Sequence, residues 1–367
     1  MKNIRLSKAC ISEEEVRQVS DVLTKEYLGM GQETRMFEID LANYLGVPVE
    51  HVVAVNTGTS ALHISLSALG VGHGDEVLVP SITYVASFQA ISALGATPIA
   101  CDVSPDTAFI DIADLESKIS ARTKAIMPVH YASSCEGIDQ VYDLARKYNL
   151  RVVEDAAQSF GSEYQGKKVG TFGDIVCFSF DGIKNITCGE GGLVVSADPV
   201  FAEKVRNARL LGVLKDTDMR YTNKRSWDFD VLEQGFRYHL SNINAAIGRV
   251  QLTRIDEFRN KRQGLVKTYL SNLKEVKPLN LSYKEIMSHI FVVRADRRDE
   301  LRDYLIGNGI EIGVHYKPNH LLSLYQGDYD LPNTEKLRHE LISLPLHCDL
   351  NEEDILYICR LINEFYK

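Results

Sequence analysis

Three short stretches of the sequence carry side chains that could act on one small molecule. Lys184 lies four residues after an apolar, strand-like run (175–180), and Asp155 directly follows another such run. The stretch NTGTSALH (56–63) follows a third run and opens a helical pattern. Ligands of open α/β sheets bind at the carboxyl ends of the strands. We therefore expect an amine, a carboxylate and a helix N-terminus to meet at one edge of a sheet.

Each of these features alone has an ordinary interpretation as a helix cap, a solvated lysine or a plain N-terminal turn. Together they fit pyridoxal phosphate (PLP), which needs an amine for a Schiff base, a carboxylate at its pyridine nitrogen and an anion site for its phosphate. A lysine such as Lys184 has a lowered pKa when it is partly desolvated, and its free amine can attack a carbonyl. The helix start at Gly58, Thr59 and Ser60 offers N–H groups and hydroxyls to a phosphate.

The elements that must position these residues form a regular alternation of apolar runs and helical patterns. The runs are 51–55, 76–80, 97–101, 124–129, 150–154, 175–180 and 192–196. Such a rhythm predicts an α/β fold with a mostly parallel sheet that helices cover on both faces. The pattern changes after about residue 240, so we predict a large domain over 1–240 and a smaller C-terminal α/β domain over 241–367. The polar, aperiodic segment 215–240 is typical of a long functional loop.

Composition excludes several classes of protein. The chain has 367 residues, 45% of them hydrophobic, and a net charge of −9, which argues against a broad nucleic-acid or membrane surface. Its seven cysteines are scattered without a CxxC pair, so we predict no metal site and no disulfide framework. We find no apolar signal region and no 18-residue apolar run. A cytoplasmic protein fits these observations.

Seven blocks of sequence, in order along nearly the whole chain, carry a family resemblance. They are NTGTSALH (56–63), PSITYVAS (80–87), PVHYAS (128–133), VVEDAAQSFGSEYQGKKVGTFGD (152–174), FSFDGIKNITCGEGG (178–192), GFRYHLSNINAAIGRVQL (235–252) and SLPLH (343–347). In these blocks the chain resembles the nucleotide-sugar aminotransferases of the DegT/DnrJ/StrS family. The resemblance implies a fold-type-I PLP-dependent transferase, with a seven-stranded, mostly parallel sheet in its large domain.

The resemblance also implies roles for individual residues. Lys184 would form the Schiff base with the cofactor and then carry the proton between two carbons. Asp155 would pair with the pyridinium nitrogen, Gln158 would bind the ring hydroxyl, and Tyr84 would stack on the ring. A lysine at position 184 argues against the dehydratase branch of the family, in which a histidine takes its place.

The phosphate of the cofactor would be held by residues from two subunits. The residues that the resemblance implies are Gly58, Thr59, Ser60 and Ser179, together with Arg237 from a second copy of the chain. The active unit would then be a homodimer with its active sites at the subunit interface.

Two positions depart from the family pattern. The family often has Asn where this chain has Arg237, with Arg at His239, so Arg237 could serve a substrate diphosphate instead. Asp181 stands where many members have His or an aromatic residue.

The implied reaction is a ping-pong transfer of an amino group from L-glutamate to a nucleotide-linked keto-sugar. The stretches KNITCGEGG and VHYAS resemble members that act at carbon 4. We therefore expect a 4-keto-6-deoxyhexose, dTDP-linked, as substrate. The product would be an equatorial 4-amino-4,6-dideoxy sugar for a surface polysaccharide, such as the O-antigen of lipopolysaccharide, or for a glycoconjugate.

The alternatives are a carbon-3 aminotransferase of the same family and a non-catalytic PLP-binding regulator. A nicotinamide-dependent sugar enzyme would need a glycine-rich turn after the first strand, which NTGTSALH is not.

Several further residues are candidates for contact with the sugar. They are His130, Arg237, His315, Tyr316 and His320, each of which could equally have a structural role. His63 lies in an apolar helical pattern and is expected in the core. The basic residues Lys215, Arg220, Lys224 and Arg225 could meet a diphosphate, although nearby acids offset their charge.

Overall fold

The computed structural model describes residues 3–214, 216–224, 227–231 and 233–367. Within these ranges the α-helices are α1 (Glu13–Thr24), α2 (Gln32–Leu45), α3 (Gly58–Ala68), α4 (Val85–Ser92), α5 (Ile112–Ser117), α6 (Ile138–Tyr148), α7 (Pro199–Ala208), α8 (Asp216–Tyr221), α9 (Asn242–Thr253), α10 (Ile255–Asn272), α11 (Arg298–Gly307), α12 (Pro332–Glu340) and α13 (Glu352–Phe365). The strands are β1 (Val52–Val55), β2 (Glu76–Pro80), β3 (Thr97–Cys101), β4 (Thr123–Ile126), β5 (Arg151–Asp155), β6 (Glu163–Tyr164), β7 (Lys167–Lys168), β8 (Ile175–Ser179), β9 (Gly192–Ser196), β10 (Lys277–Pro278), β11 (Phe291–Arg294) and β12 (Leu341–Leu344). Short 3-10 helices cover Val49–His51, Tyr131–Ser133 and Asn319–Leu321.

The central sheet contains seven strands in the order β1-β9-β8-β5-β4-β2-β3. Adjacent strands of this sheet are parallel, except that β9 runs antiparallel to both of its neighbours, β1 and β8. Every residue of β1, β2, β8 and β9 is buried, as expected of strands covered on both faces. The seven apolar runs of the sequence are these seven strands, so the predicted mostly parallel sheet is confirmed.

Alternate residues of each strand enter two apolar cores, one on each face of the sheet. In β1, Val52 and Ala54 pack with one cluster, whereas Val53 and Val55 pack with the other. This alternation follows from the two-residue period of a strand, which sends successive side chains to opposite faces. The helices on both faces bury their apolar sides against these clusters. Polar groups can therefore lie at the carboxyl ends of the strands, outside both cores.

A second sheet lies in the C-terminal part of the chain. Its three strands are antiparallel in the order β10-β11-β12, and they share a core with α10, α11 and α13. Ile4 pairs with Ile310 and joins the same core. Helix α9 instead contributes Ala245 to the core of the central sheet. The domain boundary after residue 240 stays a prediction.

The loop that follows α7 is anchored by a buried ion pair. Arg209 and Glu38 are both fully buried, and Arg209 Nη1 lies 2.6 Å from Glu38 Oε1. Arg209 Nη1 also donates to the carbonyl of Ala54 at 2.5 Å, and Glu38 Oε1 accepts from the Ala54 N–H at 2.9 Å. Tyr221 of α8 donates its hydroxyl to Glu38 and accepts from Arg209 Nη2 at 2.7 Å. Where the sequence predicts a long functional loop, the described part thus contains a short helix tied to β1.

Candidate active site

A cavity of about 400 Å³ opens at the carboxyl ends of the parallel strands. Its lining residues are Gly58, Thr59, Leu62, Thr83, Tyr84, Ala86, Val129, Asp155, Ala157, Gln158, Ser179, Asp181, Ile183, Lys184, Glu190, His289, His315 and Tyr316. Asp155 and Ser179 are the last residues of β5 and β8. The structure therefore brings the three predicted stretches to one site, at the edge where α/β sheets bind ligands.

Lys184 lies in a tight turn after β8. Its N–H donates to the carbonyl of Asp181 at 3.1 Å, and its buried neighbour Asn185 donates to the carbonyls of Phe160 and Met287 at 2.9 and 2.8 Å. Burial lowers the pKa of Lys184, and the carboxylates of Asp155 and Asp181 oppose this in part. Among the described residues Nζ has no hydrogen-bond partner. The neutral, nucleophilic form of this amine is therefore more populated than it would be in a solvated lysine.

The Asp155 carboxylate is buried and oriented by two donors. Ser87 Oγ donates to Oδ2 at 2.6 Å, and the Ala157 N–H donates to Oδ1 at 3.2 Å. The backbone of Asp155 is held on both sides, because its N–H binds the carbonyl of Pro128 and its own carbonyl accepts from His130. These contacts fix a carboxylate of defined direction in the cavity wall.

Three residues form the side wall next to Asp155. Gln158 Oε1 accepts from the Ala132 N–H at 2.9 Å, and Gln158 Nε2 donates to the Tyr316 hydroxyl at 3.0 Å. The ring of Tyr84 lies 5.7 Å from the ring of Tyr316 and is largely exposed. Burial, followed by the charge of Asp155, raises the pKa of Tyr316, so its hydroxyl stays protonated. This wall combines an amide and two aromatic faces, which suits a flat polar ring.

The opposite end of the cavity is the N-terminus of α3. Thr57 caps this helix in a reciprocal pair with Ser60: the Ser60 N–H donates to Thr57 Oγ1 at 2.9 Å, and the Thr57 N–H donates to Ser60 Oγ at 3.1 Å. A Cβ on Gly58 would lie 2.7 Å from the Cβ of Ser179, so only glycine allows this close approach. Gly58, Thr59 and Ser179 line the cavity, whereas Ser60 is committed to the cap and does not.

These residues fit pyridoxal phosphate. A free amine, an oriented carboxylate and a glycine-lined helix N-terminus face one cavity, and these are the three contacts the cofactor requires. Lys184 would hold its reactive carbon, Asp155 its ring nitrogen, and Gly58, Thr59 and Ser179 its phosphate.

The structure places the predicted sugar-binding residues in different environments. His315 and Tyr316 line the cavity. His130 does not, because its fully buried ring forms a hydrogen bond with Ser159 Oγ at 2.8 Å, and its Nε2 lies 2.9 Å from Glu154 Oε2. His320 likewise binds Ser81 Oγ and Glu335 Oε1, both at 2.7 Å, away from the cavity. His130 and His320 therefore have structural partners in this fold.

The basic residues of the loop also lie away from the cavity. Arg237 is exposed and pairs through its backbone with Leu210. Arg220 is paired with Asp216 at 2.8 Å, and Lys224 is exposed. Lys215 and Arg225 lie outside the described residues. Buried His63 packs against Phe236 and Tyr238, as expected of a core residue.

Sequence reasoning missed several polar residues of the site, among them Ser87, Glu190 and His289. Ser87 binds Asp155, and it lies within a family block without any motif of its own. Glu190 belongs to the glycine-rich stretch and lines the cavity, where burial and then Asp181 raise its pKa. His289 comes from the C-terminal part of the chain, far from Lys184 in sequence, and only tertiary packing brings it to the cavity.

Other site types find little support in the described part of the chain. It contains no group of three or more His, Cys, Asp or Glu residues that could hold a metal ion. All seven cysteines are free thiols. None of the described helices combines the length with the apolar composition that a membrane crossing requires.

Comparison with known proteins matches almost the entire chain. A model of the DegT/DnrJ/EryC1/StrS aminotransferase family matches residues 9–363. The uncharacterized protein MJ1066 of Methanocaldococcus jannaschii is 34% identical, over 97% of this chain and 95% of that protein. The aminotransferase TlmJ of Streptoalloteichus hindustanus is similar in structure, with a TM-score of 0.92, 33% identity and coverage of 99% and 98%. The PLP form of Spr1654, a putative sugar aminotransferase of Streptococcus pneumoniae, is also similar in structure, with a TM-score of 0.91 and 30% identity. The match covers 99% of this chain and 98% of that one. These likenesses confirm the predicted fold class.

Proposed function

The chain belongs to the DegT/DnrJ/EryC1/StrS aminotransferase family, and from this membership we propose that it moves an amino group from L-glutamate to carbon 4 of a nucleotide-linked 4-keto-6-deoxyhexose. The nucleotide is dTDP in this proposal, and the product is a 4-amino-4,6-dideoxy sugar. It would be made in the cytoplasm for a surface polysaccharide such as O-antigen, or for a glycoconjugate. The observation that carries the proposal is the meeting of Lys184, Asp155 and the α3 N-terminus in one cavity.

The cofactor of the chain is pyridoxal phosphate. The similar protein Spr1654 has both a PMP form and a PLP form, and the cavity of this chain offers the contacts that the cofactor needs. When bound, the cofactor supplies an electron sink that lets a proton leave the carbon next to the transferred nitrogen. The chain supplies orientation and proton transfer.

Lys184 is the group that would move that proton. Its ε-nitrogen faces the cavity and burial lowers its pKa, so the neutral amine that accepts a proton is more populated than in a solvated lysine. The turn from Asp181 to Asn185 keeps the amine in place. We infer that Lys184 takes the proton from one carbon and returns it to the other in each half of the reaction.

The other residues of the site would bind and orient the cofactor and would take no part in proton transfer. The Asp155 carboxylate would keep the ring nitrogen protonated, and Ser87 and the Ala157 N–H keep that carboxylate in its direction. The α3 N-terminus would bind the phosphate through N–H groups and through the positive end of the helix dipole. Gln158 would meet the ring hydroxyl, in place of its present bond to Tyr316.

A homodimer is part of the proposal. The described loop residues present exposed apolar side chains, among them Trp227, Phe229 and Val231, with 91%, 56% and 47% of their surface accessible. Exposed apolar patches of this kind mark interaction surfaces. A second copy of the chain would cover this surface, and Arg237, which is exposed in one chain, would then reach the phosphate or diphosphate of the neighbouring site.

The choice of carbon 4 is supported by the resemblance of two stretches, KNITCGEGG (184–192) and VHYAS (129–133). The test is a panel of 4-keto and 3-keto nucleotide sugars, each supplied with glutamate and the purified protein. We expect amination of the 4-keto-6-deoxy sugars, with the position of the new amine read by NMR. Amination of the 3-keto sugars alone would reject the choice of carbon.

A spectroscopic measurement tests the class of enzyme independently. The purified protein should absorb visible light through a cofactor bound to Lys184, and borohydride should bleach that band. A protein that binds no PLP, or binds it without reacting with any amino donor, would instead be a regulator or another class of enzyme.

A further inference from the structure

His289 is a buried imidazole in the cavity wall, and neither of its ring nitrogens has a hydrogen-bond partner among the described residues. Nδ1 has almost no accessible surface, so Nε2 is the ring nitrogen that a ligand in the cavity can contact. Only 5% of its surface is accessible, and it lines both the main cavity and a small adjoining one. Buried polar atoms without a partner are uncommon in folded proteins, and each asks for an explanation. Because the ring lines the same cavity as the candidate catalytic lysine, a ligand of the reaction is the natural partner of Nε2.

The position of His289 is fixed by the backbone around it. Its N–H donates to Ser133 Oγ at 2.8 Å, and its carbonyl accepts from the buried Arg262 at 3.3 Å. Two residues earlier, the carbonyl of Met287 accepts from Asn185 at 2.8 Å. Since Asn185 directly follows Lys184, the same contact ties both residues to one wall of the cavity. The ring is therefore held next to the lysine by the fold.

Charge divides the cavity into two kinds of surface. Burial, then Lys184, Arg262 and His315, holds the pKa of His289 well below its usual value, so the ring is neutral and keeps one N–H donor. The wall also carries the carboxyl groups of Asp155, Asp181 and Glu190, and an ionised carboxylate can only accept hydrogen bonds. A carboxylate that enters the cavity is repelled by these acids and meets a donor at His289.

The chemistry of the amino donor places a carboxylate at this position. In an α-amino acid the nitrogen and the α-carboxylate share one carbon, and the nitrogen must reach the cofactor carbon that Lys184 holds. The α-carboxylate then lies beside Lys184. His315, the other histidine of the wall, already binds Ser343 Oγ through Nδ1 at 2.7 Å, whereas the ring of His289 has no hydrogen-bond partner among the described residues.

We propose that His289 donates a hydrogen bond to the α-carboxylate of the amino donor and so selects α-amino acids for the first half of the reaction. This inference rests on the proposed function. It assigns to the C-terminal part of the chain the recognition of the donor, while the residues of the central sheet hold the cofactor.

The test compares two amines that differ only in this carboxylate. 4-Aminobutanoate is glutamate without its α-carboxylate, and its binding to the PLP-loaded protein can be followed, like that of glutamate, by the change in cofactor absorbance. His289→Phe should weaken glutamate binding about 10- to 100-fold, the usual worth of a hydrogen bond to a charged group. Binding of 4-aminobutanoate and the KM for the keto-sugar should change less than about 3-fold, well under the worth of such a bond. His289→Gln, which keeps an N–H donor, should restore part of the loss.

Controls separate this role from a structural one. His347 is equally buried in the C-terminal part but does not line the cavity, so His347→Phe should leave both amines unaffected. If His289→Phe does not fold, His289→Ala removes the donor without adding bulk and is compared in the same way. Equal weakening of the two amines, or unchanged glutamate binding, would overturn the inference. If the wild-type protein responds to no amine at all, the proposed function fails and this inference fails with it.

Discussion

The two ends of the cavity are built in different ways. The end proposed to bind the cofactor phosphate, called the phosphate end below, consists of the first turn of α3 and Ser179, where a local capping pair and the close approach of Gly58 shape the site. The other end consists of side chains such as His289 and His315, which the C-terminal part of the chain carries to Lys184. Backbone groups dominate the first end, and neutral imidazoles the second. We infer from this comparison that mutations can change cofactor affinity and substrate specificity independently of each other.

Lys184 lines the same cavity as both groups of residues, and its replacement should have the largest effect. In the proposed function Lys184→Ala removes both the covalent link and the proton carrier, so turnover should fall at least about 10³-fold. The phosphate end does not need the link, so the variant should still bind pyridoxamine phosphate, as measured by absorbance after dialysis. Normal transamination by this variant would contradict the assignment of Lys184.

Gly58→Ala should damage the phosphate end alone. The new Cβ would lie 2.7 Å from the Cβ of Ser179, so α3 must shift from β8. We expect PLP affinity to fall about 10- to 100-fold, the usual cost of overpacking a tight site. The preference for glutamate over 4-aminobutanoate should not change, which is the reverse of the result expected for His289→Phe.

A matched control for Gly58 is Gly264 of α10, where an added Cβ meets no atom within 4 Å. Gly264→Ala should leave PLP affinity unchanged. If Gly58→Ala altered the choice of amine as strongly as the affinity for PLP, the two ends would not be independent and the comparison would fail.

Ser87→Ala should have the smallest of these effects. Ser87 donates to Asp155 at 2.6 Å, and its loss leaves the carboxylate with the Ala157 N–H alone. We expect kcat to fall about 10-fold, the lower range for a hydrogen bond to a charged group. Ser92 lies on the same helix but binds Tyr325 outside the cavity, so Ser92→Ala should leave kcat unchanged. Equal rates for the wild type and the Ser87 variant would show that Asp155 needs no orientation.

Much of the fold and of the phosphate end could be predicted because the signals are local. Continuous apolar runs indicate buried parallel strands, and the residues at their ends, Asp155 and Ser179, necessarily fall at one edge of the sheet. The same local reasoning places Gly58 and Thr59 at a helix start. Ser60 shows its limit, because a hydroxyl near a helix start can serve the cap instead of a ligand.

The rest of the site depends on direction and packing, which the sequence does not show directly. Val129 lines the cavity, but the side chain of the next residue, His130, points away and forms a hydrogen bond with Ser159, because neighbouring residues of extended chain face opposite ways. His320 likewise finds partners in the fold. His289 has no motif that relates it to Lys184, and tertiary contacts with Ser133, Asn185 and Arg262 bring it into position.

The clamp formed by Glu38, Arg209 and Tyr221 matters to anyone who would graft the loop of a relative onto this chain. The Glu38–Arg209 pair grips both backbone groups of Ala54, two residues before the turn that leads into α3. Tyr221 is supplied by the loop itself. A transplanted segment that lacks a phenol at this position would leave two buried charges short of a partner, so the exchange should carry Tyr221 with it.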